Sequence, residues 1–166
     1  MKKNQGFSLV ELIVVIAIMA VLVGVLAPAY LRYVEKSRKS TDVSSISDIM
    51  AAAEKVAIDP QWDLEAGTQF KLSGTGSALG MTVTAGGGAA ATSAANTAGA
   101  LQEWKDIAGN GYSCKSKEFK TETMSFTGTL ANTGAVNWVI SATKLTTFSP
   151  DFVSKWGSSA AAATSN

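Results

Sequence analysis

The sequence predicts an α+β protein in which one long N-terminal α-helix packs on an antiparallel β-sheet. Three observations carry that expectation. Residues 7–31 form an apolar run whose single charge is Glu11; an amphipathic pattern follows it without a break to about residue 58; and the C-terminal third holds two strand-like segments joined by a turn.

The apolar run comes first. From residue 12 to residue 31 there are 20 residues without a charge, enough as a helix to cross about 30 Å of hydrocarbon. Three readings compete for it. As a secretory signal peptide it has Met1, Lys2 and Lys3 for a positive region and Ala27-Pro28-Ala29 for a cleavage site, but its apolar part exceeds the usual ~7–15 residues and contains a carboxylate. As a permanent single-span anchor it has the length, yet it leaves Glu11 at membrane depth at a cost on the order of 2–3 kcal/mol. As a processed segment, broken between Gly6 and Phe7, it gains a new α-amine four residues before Glu11, a cation that another copy can offer to the carboxylate. A glycine at the last leader position suits that break, because no Cβ keeps a peptidase from the backbone.

These residues carry a resemblance. Lys2 and Lys3, then Gly6-Phe7-Ser8-Leu9-Val10-Glu11, then the unbroken run with Pro28, Tyr30 and Tyr33, resemble the class III signal of a type IV prepilin over about the first 35 residues. The resemblance implies the type IV pilin fold and a division into a leader (1–6), a hydrophobic transmembrane and assembly helix (7–31) and a globular head (32–166). It implies cleavage between Gly6 and Phe7 by the prepilin peptidase and N-methylation of Phe7. It also implies storage as a single-pass cell-membrane protein, then assembly by membrane machinery into a helical homo-oligomer, an extracellular pilus for adhesion, surface motility or biofilm formation. Phe7, Glu11, Gly24 and Pro28 are the residues it assigns to assembly. The alternative within the same chemistry is a pseudopilin of a type II secretion or DNA-uptake apparatus. A lone Cys114 departs from the C-terminal disulfide of many Gram-negative pilins and points to a Gram-positive type.

Physical reasoning accompanies the resemblance. Helices bundled through 7–31 would bury Glu11 at low dielectric, where a carboxylate paired with an amine is tolerated and an unpaired one is costly; such pairing selects one axial register. Gly24 has poor helix propensity and Pro28 removes the hydrogen bond to its carbonyl, so the helix is weakest between them. An ordinary proline kink and a segment that unwinds on assembly are both open here, and the resemblance favours unwinding.

Beyond Leu31 the apolar positions Val34, Val43, Ile46, Ile49, Met50, Ala53 and Ala57 recur mostly three or four apart, which continues the helix and gives its second half one buried stripe. Glu35 with Lys39 and Arg38 with Asp42, both at i, i+4, place charges on the opposite face. Asp59-Pro60 is a natural stop. Residues 73–100 then change character: 24 of these 28 are Gly, Ala, Ser or Thr, which reads as a long surface connection, with 81–84 as a short extended piece. That connection is either a solvated linker or a subunit-contact or glycan-bearing surface. Leu101, Trp104 and Ile107 before Gly109 suggest a short helix with a glycine stop.

Residues 112–119 are a candidate strand. Residues 124–130 and 136–141 are firmer ones, with Asn132-Thr133-Gly134 as a hairpin turn between them. Leu145, Phe148, Phe152 and Trp156 are placed to cover a sheet edge or end, and residues 158–166 read as frayed.

Composition excludes several classes. With no histidine and one cysteine, no Ser/His/Asp or Cys/His set can form, so no catalytic residues and no enzyme are expected. A net charge of +1 carries no nucleic-acid footprint. Gly86-Gly87-Gly88 leads into alanines with no phosphate-binding lysine. Glu118 and Glu122 read as solvated charges; Asp59, Asp63 and Glu65 lack the glycine and terminal glutamate of a calcium loop. No cofactor and no metal are expected, and Cys114 reads as a small buried hydrophobe.

Overall fold

The computed structural model of the protein describes residues 8–86 and 93–159. Gly6 and Phe7, Gly87 and Gly88, and the tail after residue 159 lie outside the described residues. The chain divides into two units, Met1–Ser37 and Arg38–Asn166. Helix α1 (Leu9–Ala57) begins in the first and ends in the second.

In the second unit α1 buries Asp42, Ile46, Ile49, Met50, Ala52, Ala53, Val56 and Ala57, the stripe that three- and four-residue spacing requires. The helix ends where the pattern and Pro60 meet, and Asp59 Oδ1 accepts from Gln61 N at 2.8 Å to start the turn. The stripe lies in one core with Phe70 and Leu72 of β1 (Gln69–Thr75), Leu79 and Met81 of β2 (Ala78–Thr84), Trp104 of α2 (Ala94–Ala108), Met124, Phe126 and Leu130 of β3 (Thr123–Leu130), and Trp138 and Ile140 of β4 (Val136–Ser141). Along each strand these residues alternate with more exposed ones, so one face of the sheet is covered and the other is open.

Sheet order is β2-β1-β3-β4-β5. The first four strands are antiparallel neighbours, and β5 (Gly157–Ser159) joins β4 in parallel. The expected hairpin is present: Ala131 N donates to Ala135 O at 2.8 Å and Gly134 N to Ala131 O at 3.0 Å. Three short helices complete the head: α3 (Lys117–Lys120), α4 (Thr143–Phe148) and α5 (Pro150–Trp156). Phe152 and Trp156 of α5 meet Phe126 and Trp138 edge to face at centroid distances of 6.0 and 6.3 Å, as expected of residues that cover the sheet.

All four tryptophans find a hydrogen-bond acceptor, and three of them find it on α1. Trp104 Nε1 donates to the Ile49 carbonyl at 2.8 Å, Trp138 Nε1 to Glu54 Oε1 at 3.1 Å and Trp156 Nε1 to Ser47 Oγ at 2.9 Å, while Trp62 Nε1 donates to Glu103 Oε2. A buried indole without an acceptor would cost about 1–3 kcal/mol, so these bonds fix how α1 is rotated on the sheet.

Several expectations are corrected. The Gly/Ala/Ser/Thr stretch is not one long connection: residues 69–84 form the β1–β2 hairpin and α2 starts at Ala94. The two-residue link Gly76-Ser77 of that hairpin needs its glycine, because a Cβ there would sit 1.9 Å from the Phe119 carbonyl oxygen. Residues 112–119 are not a strand; Tyr112 makes a single bridge to Leu79 and the chain then turns into α3. Asp42 is not on a solvated face but fully buried. Glu122 is buried too, and its Oε1 accepts from Lys144 N at 2.7 Å, capping α4, whose own N-cap Ala142 has no polar side chain. Ile107 is 51% exposed, so only Leu101 and Trp104 of that triplet face the core. Ser158 and Ser159 pair with β4 rather than fray.

Candidate functional site

Of the site residues singled out in the sequence, Glu11, Gly24 and Pro28 lie along α1 in the first unit. There α1 exposes its large apolar side chains on every side, from Leu9 at 72% through Val25 at 72% to Tyr33 at 72%. The helix is long and apolar enough to cross a membrane, and none of that stretch is buried within the chain. A helix apolar all round is stable only when a membrane or other helices surround it.

Glu11, the one charge between residues 8 and 31, has a partner that the sequence reading missed. Ser8 N donates to Glu11 Oε2 at 2.9 Å. Ser8 precedes the helix and Glu11 is its third residue, so this is the glutamate half of a capping box, legible in the Ser-x-x-Glu spacing. The carboxylate thereby satisfies one of the first-turn N–H groups and lies at the positive end of the helix dipole. The apolar part of the helix, up to residue 31, thus keeps its only acid within one turn of its start.

Gly24 and Pro28 lie inside α1, and the helix runs through both. An added Cβ on Gly24 would meet nothing within 4 Å. The weakness expected between them is not expressed as a break in the single chain. Gly6 and Phe7 precede the described residues.

In the head, the polar centre is Asp42. Its Oδ1 accepts from Tyr112 Oη and Lys115 N, both at 2.8 Å, and its Oδ2 from Ser116 N at 2.8 Å. One carboxylate on α1 therefore folds residues 112–116 and delivers Ser116 to cap α3. Burial pushes the Tyr112 hydroxyl up to about 12, with the Asp42 charge adding to it and a bond from Ser45 opposing. Burial likewise pushes the Cys114 thiol up to about 12, again with Asp42 adding. A thiol so raised is neither nucleophile nor metal ligand near neutral pH. Among the described residues no group of three acidic, histidine or cysteine side chains comes together to hold a metal. Nearby, Lys39 Nζ lies 2.6 Å from Glu118 Oε2 and over the rings of Phe119 and Phe148, 5.8 and 5.5 Å from their centres.

The chain thus joins a helix long and apolar enough to cross a membrane, its first turn capped by Glu11, to an α+β unit with an antiparallel sheet. Residues 1–27 match the family model for the prokaryotic N-terminal methylation motif. The chain is similar to a fimbrial protein of Pseudomonas aeruginosa, 34% identical over 59 residues, which cover 36% of this chain and 38% of that protein. It is similar to fimbrial protein Q of Moraxella bovis, 39% identical over 59 residues covering 36% of this chain and 34% of that one. It is also similar to the type IV major fimbrial protein FimA of Dichelobacter nodosus, 34% identical over 76 residues covering 46% of each chain. The matched stretch spans less than half the length of each relative. No solved structure gave a significant match. Helix and sheet together make a pilin-like α+β arrangement, and the similarity to the fimbrial proteins lies in its N-terminal part.

Proposed function

We propose that this chain is the structural subunit of a type IV pilus. It is made with a leader of residues 1–6, cut between Gly6 and Phe7 by the prepilin peptidase and N-methylated at Phe7. Residues 7–31 hold it in the cell membrane as a single span until the assembly machinery extracts it into a helical homopolymer on the cell surface. The head, residues 32–166, forms the outside of that fibre and serves adhesion, surface motility or biofilm formation; it is a building block and not a catalyst. The observation that carries this reading is the exposed apolar helix with one carboxylate in its first turn, on a segment that matches the N-terminal methylation motif.

Within the polymer Glu11 exchanges part of its hold on Ser8 N for the Phe7 amine of a neighbouring subunit. That pairing sets the axial register, and the Gly24–Pro28 segment yields to let the helices pack. Glu11→Gln tests the step cleanly. Glutamine keeps an acceptor for Ser8 N, so the helix start survives, while the charge is lost. The neighbour's amine is then buried unpaired, a penalty of roughly 3–5 kcal/mol per subunit. That is large for helices that gain little hydrophobic drive from one another in lipid. The variant should be made, cut at Gly6 and retained in the membrane, as mass spectrometry of its N-terminus would report, with few or no filaments in electron micrographs of sheared cells. Normal filament yield from normally processed protein would refute the pairing.

A further inference from the structure

A cleft of about 360 Å³ lies where the turn after α1 meets α2, lined by Gln61, Trp62, Gly99, Gln102, Glu103 and Asp106. The polymerisation chemistry above does not use it. Its wall is an indole held in place from several sides. The turn is wound by Gln61 N on Asp59 Oδ1 (2.8 Å) and Trp62 N on Asp59 O (3.2 Å), and Asp63 follows at φ 44°, a left-handed conformation unusual for a residue with a side chain. The turn lays the benzo ring of Trp62 against α2 at Gly99, where a Cβ would come within 2.0 Å of the ring. The Nε1 proton goes to Glu103 Oε2. The ring is thus fixed in orientation while remaining partly exposed.

The groups around it keep hydrogen-bonding capacity. Gln102 Nε2 donates to Asp106 Oδ1 at 2.8 Å. Among the described residues the second oxygens of Asp106 and Glu103, the Gln102 carbonyl and the whole Gln61 amide have no partner. No lysine or arginine lines the cleft.

We propose that this cleft binds a neutral sugar, one pyranose stacking its C–H face on Trp62 while Gln61, Gln102, Glu103 and Asp106 take its hydroxyls. The C–H bonds on that face of a pyranose are slightly positive and meet the negative face of the indole. A carboxylate oxygen accepts from hydroxyls, and an amide both donates and accepts, as a hydroxyl does. Two carboxylates with no balancing cation repel sialic and uronic acids. A quaternary ammonium suits the site less well, because it is held best by several aromatic faces and Trp62 offers one. The cleft is open and shallow, so a single sugar binds weakly, on the order of 1 mM, and many copies along a fibre would raise the avidity. This inference concerns the head alone and stands whether or not Glu11 aligns subunits.

The test is saturation-transfer NMR on the full chain in a polyoxyethylene detergent, which presents neither a sugar nor a choline headgroup. The probes are methyl β-D-glucopyranoside, methyl β-D-galactopyranoside, N-acetylglucosamine, glucuronate and tetramethylammonium. Transfer to the C–H protons of one face of at least one neutral sugar is expected, with glucuronate and tetramethylammonium showing little. Trp62→Ala should lower the affinity about five- to tenfold. Asp106→Asn and Gln102→Ala, at exposed positions that leave the core untouched, should each lower it as well. Absence of transfer from all three neutral sugars, binding of glucuronate or tetramethylammonium as strong as that of the sugars, or unchanged binding in the two exposed variants would overturn the proposal.

Discussion

Replacing Asp42 with alanine removes the acceptor of three hydrogen bonds and leaves the rest of α1 intact. The bond from Ser116 N is buried, and those from Lys115 N and Tyr112 Oη are partly buried. A hydrogen bond to a charged group contributes about 1.5–3 kcal/mol, and a donor stranded away from water loses a similar amount. Taking about 2 kcal/mol for the buried bond and about 1 kcal/mol for each partly buried one, Asp42→Ala should destabilise the head by about 4 kcal/mol. For a unit the size of residues 38–166 that is a fall in Tm of roughly 12–16 °C. Asp42→Asn is the sharper comparison. Both carboxylate oxygens accept, but an amide accepts through one only and turns an NH₂ toward a donor, so this variant should lose about half as much. Tyr112→Phe, which removes one donor and strands no backbone group, should lose about 1 kcal/mol. The assay is thermal melting of the full chain in detergent followed by near-UV circular dichroism. Read in the tryptophan band, the signal comes from Trp62, Trp104, Trp138 and Trp156, all of which lie in the second unit. If Asp42→Ala melts within about 4 °C of the parent, or no lower than Asp42→Asn, the carboxylate does not hold residues 112–116 in place.

Gly76→Ala would press a methyl group to 1.9 Å from the Phe119 carbonyl oxygen, and a loss of about 2–4 kcal/mol in denaturant titrations is expected; an unchanged midpoint would show that the β1–β2 link and α3 do not abut. Cys114, 1% exposed and with its thiol pushed up to about 12, should react with iodoacetamide at pH 8 at least about a hundredfold more slowly in the folded chain than in urea. The same groups make the head alkali-labile. Their folded pKa values lie above the unfolded ones, so the unfolded chain sheds its protons first, and stability falls as pH rises from about 9 for Cys114 and about 10 for Tyr112 toward 12. Cys114→Ala should therefore lose less stability than the parent between those limits, as urea titrations at stepped pH would show. A fragment starting at Arg32 should be a soluble monomer on size-exclusion chromatography with its tryptophan dichroism intact, since residues 42–57 still cover the sheet; aggregation of that fragment in native buffer would count against a head that folds without the apolar half of α1.

Features written in local pattern were legible from the sequence. The apolar run and its lone acid follow from composition. The end of α1 follows from an apolar stripe meeting Asp59-Pro60, and the β3–β4 hairpin from alternation on both sides of Asn132-Thr133-Gly134. Even the Ser8–Glu11 bond was available in the Ser-x-x-Glu spacing. Other features depend on contacts between residues far apart in the chain. Phe70, Leu72, Leu79 and Met81 alternate correctly, but glycine, alanine, serine and threonine around them carry too little side chain to announce a strand; β3 beside β1 and Phe119 above Gly76 are what make that hairpin. Residues 112–119 have strand-like composition. The Asp42 carboxylate, some 70 residues earlier, takes two of their backbone N–H groups, and donors bound there cannot join a ladder. Asp42 itself looks like one half of a surface ion pair. Only the packed structure brings it three donors at once, and a charge can be buried only where such partners converge.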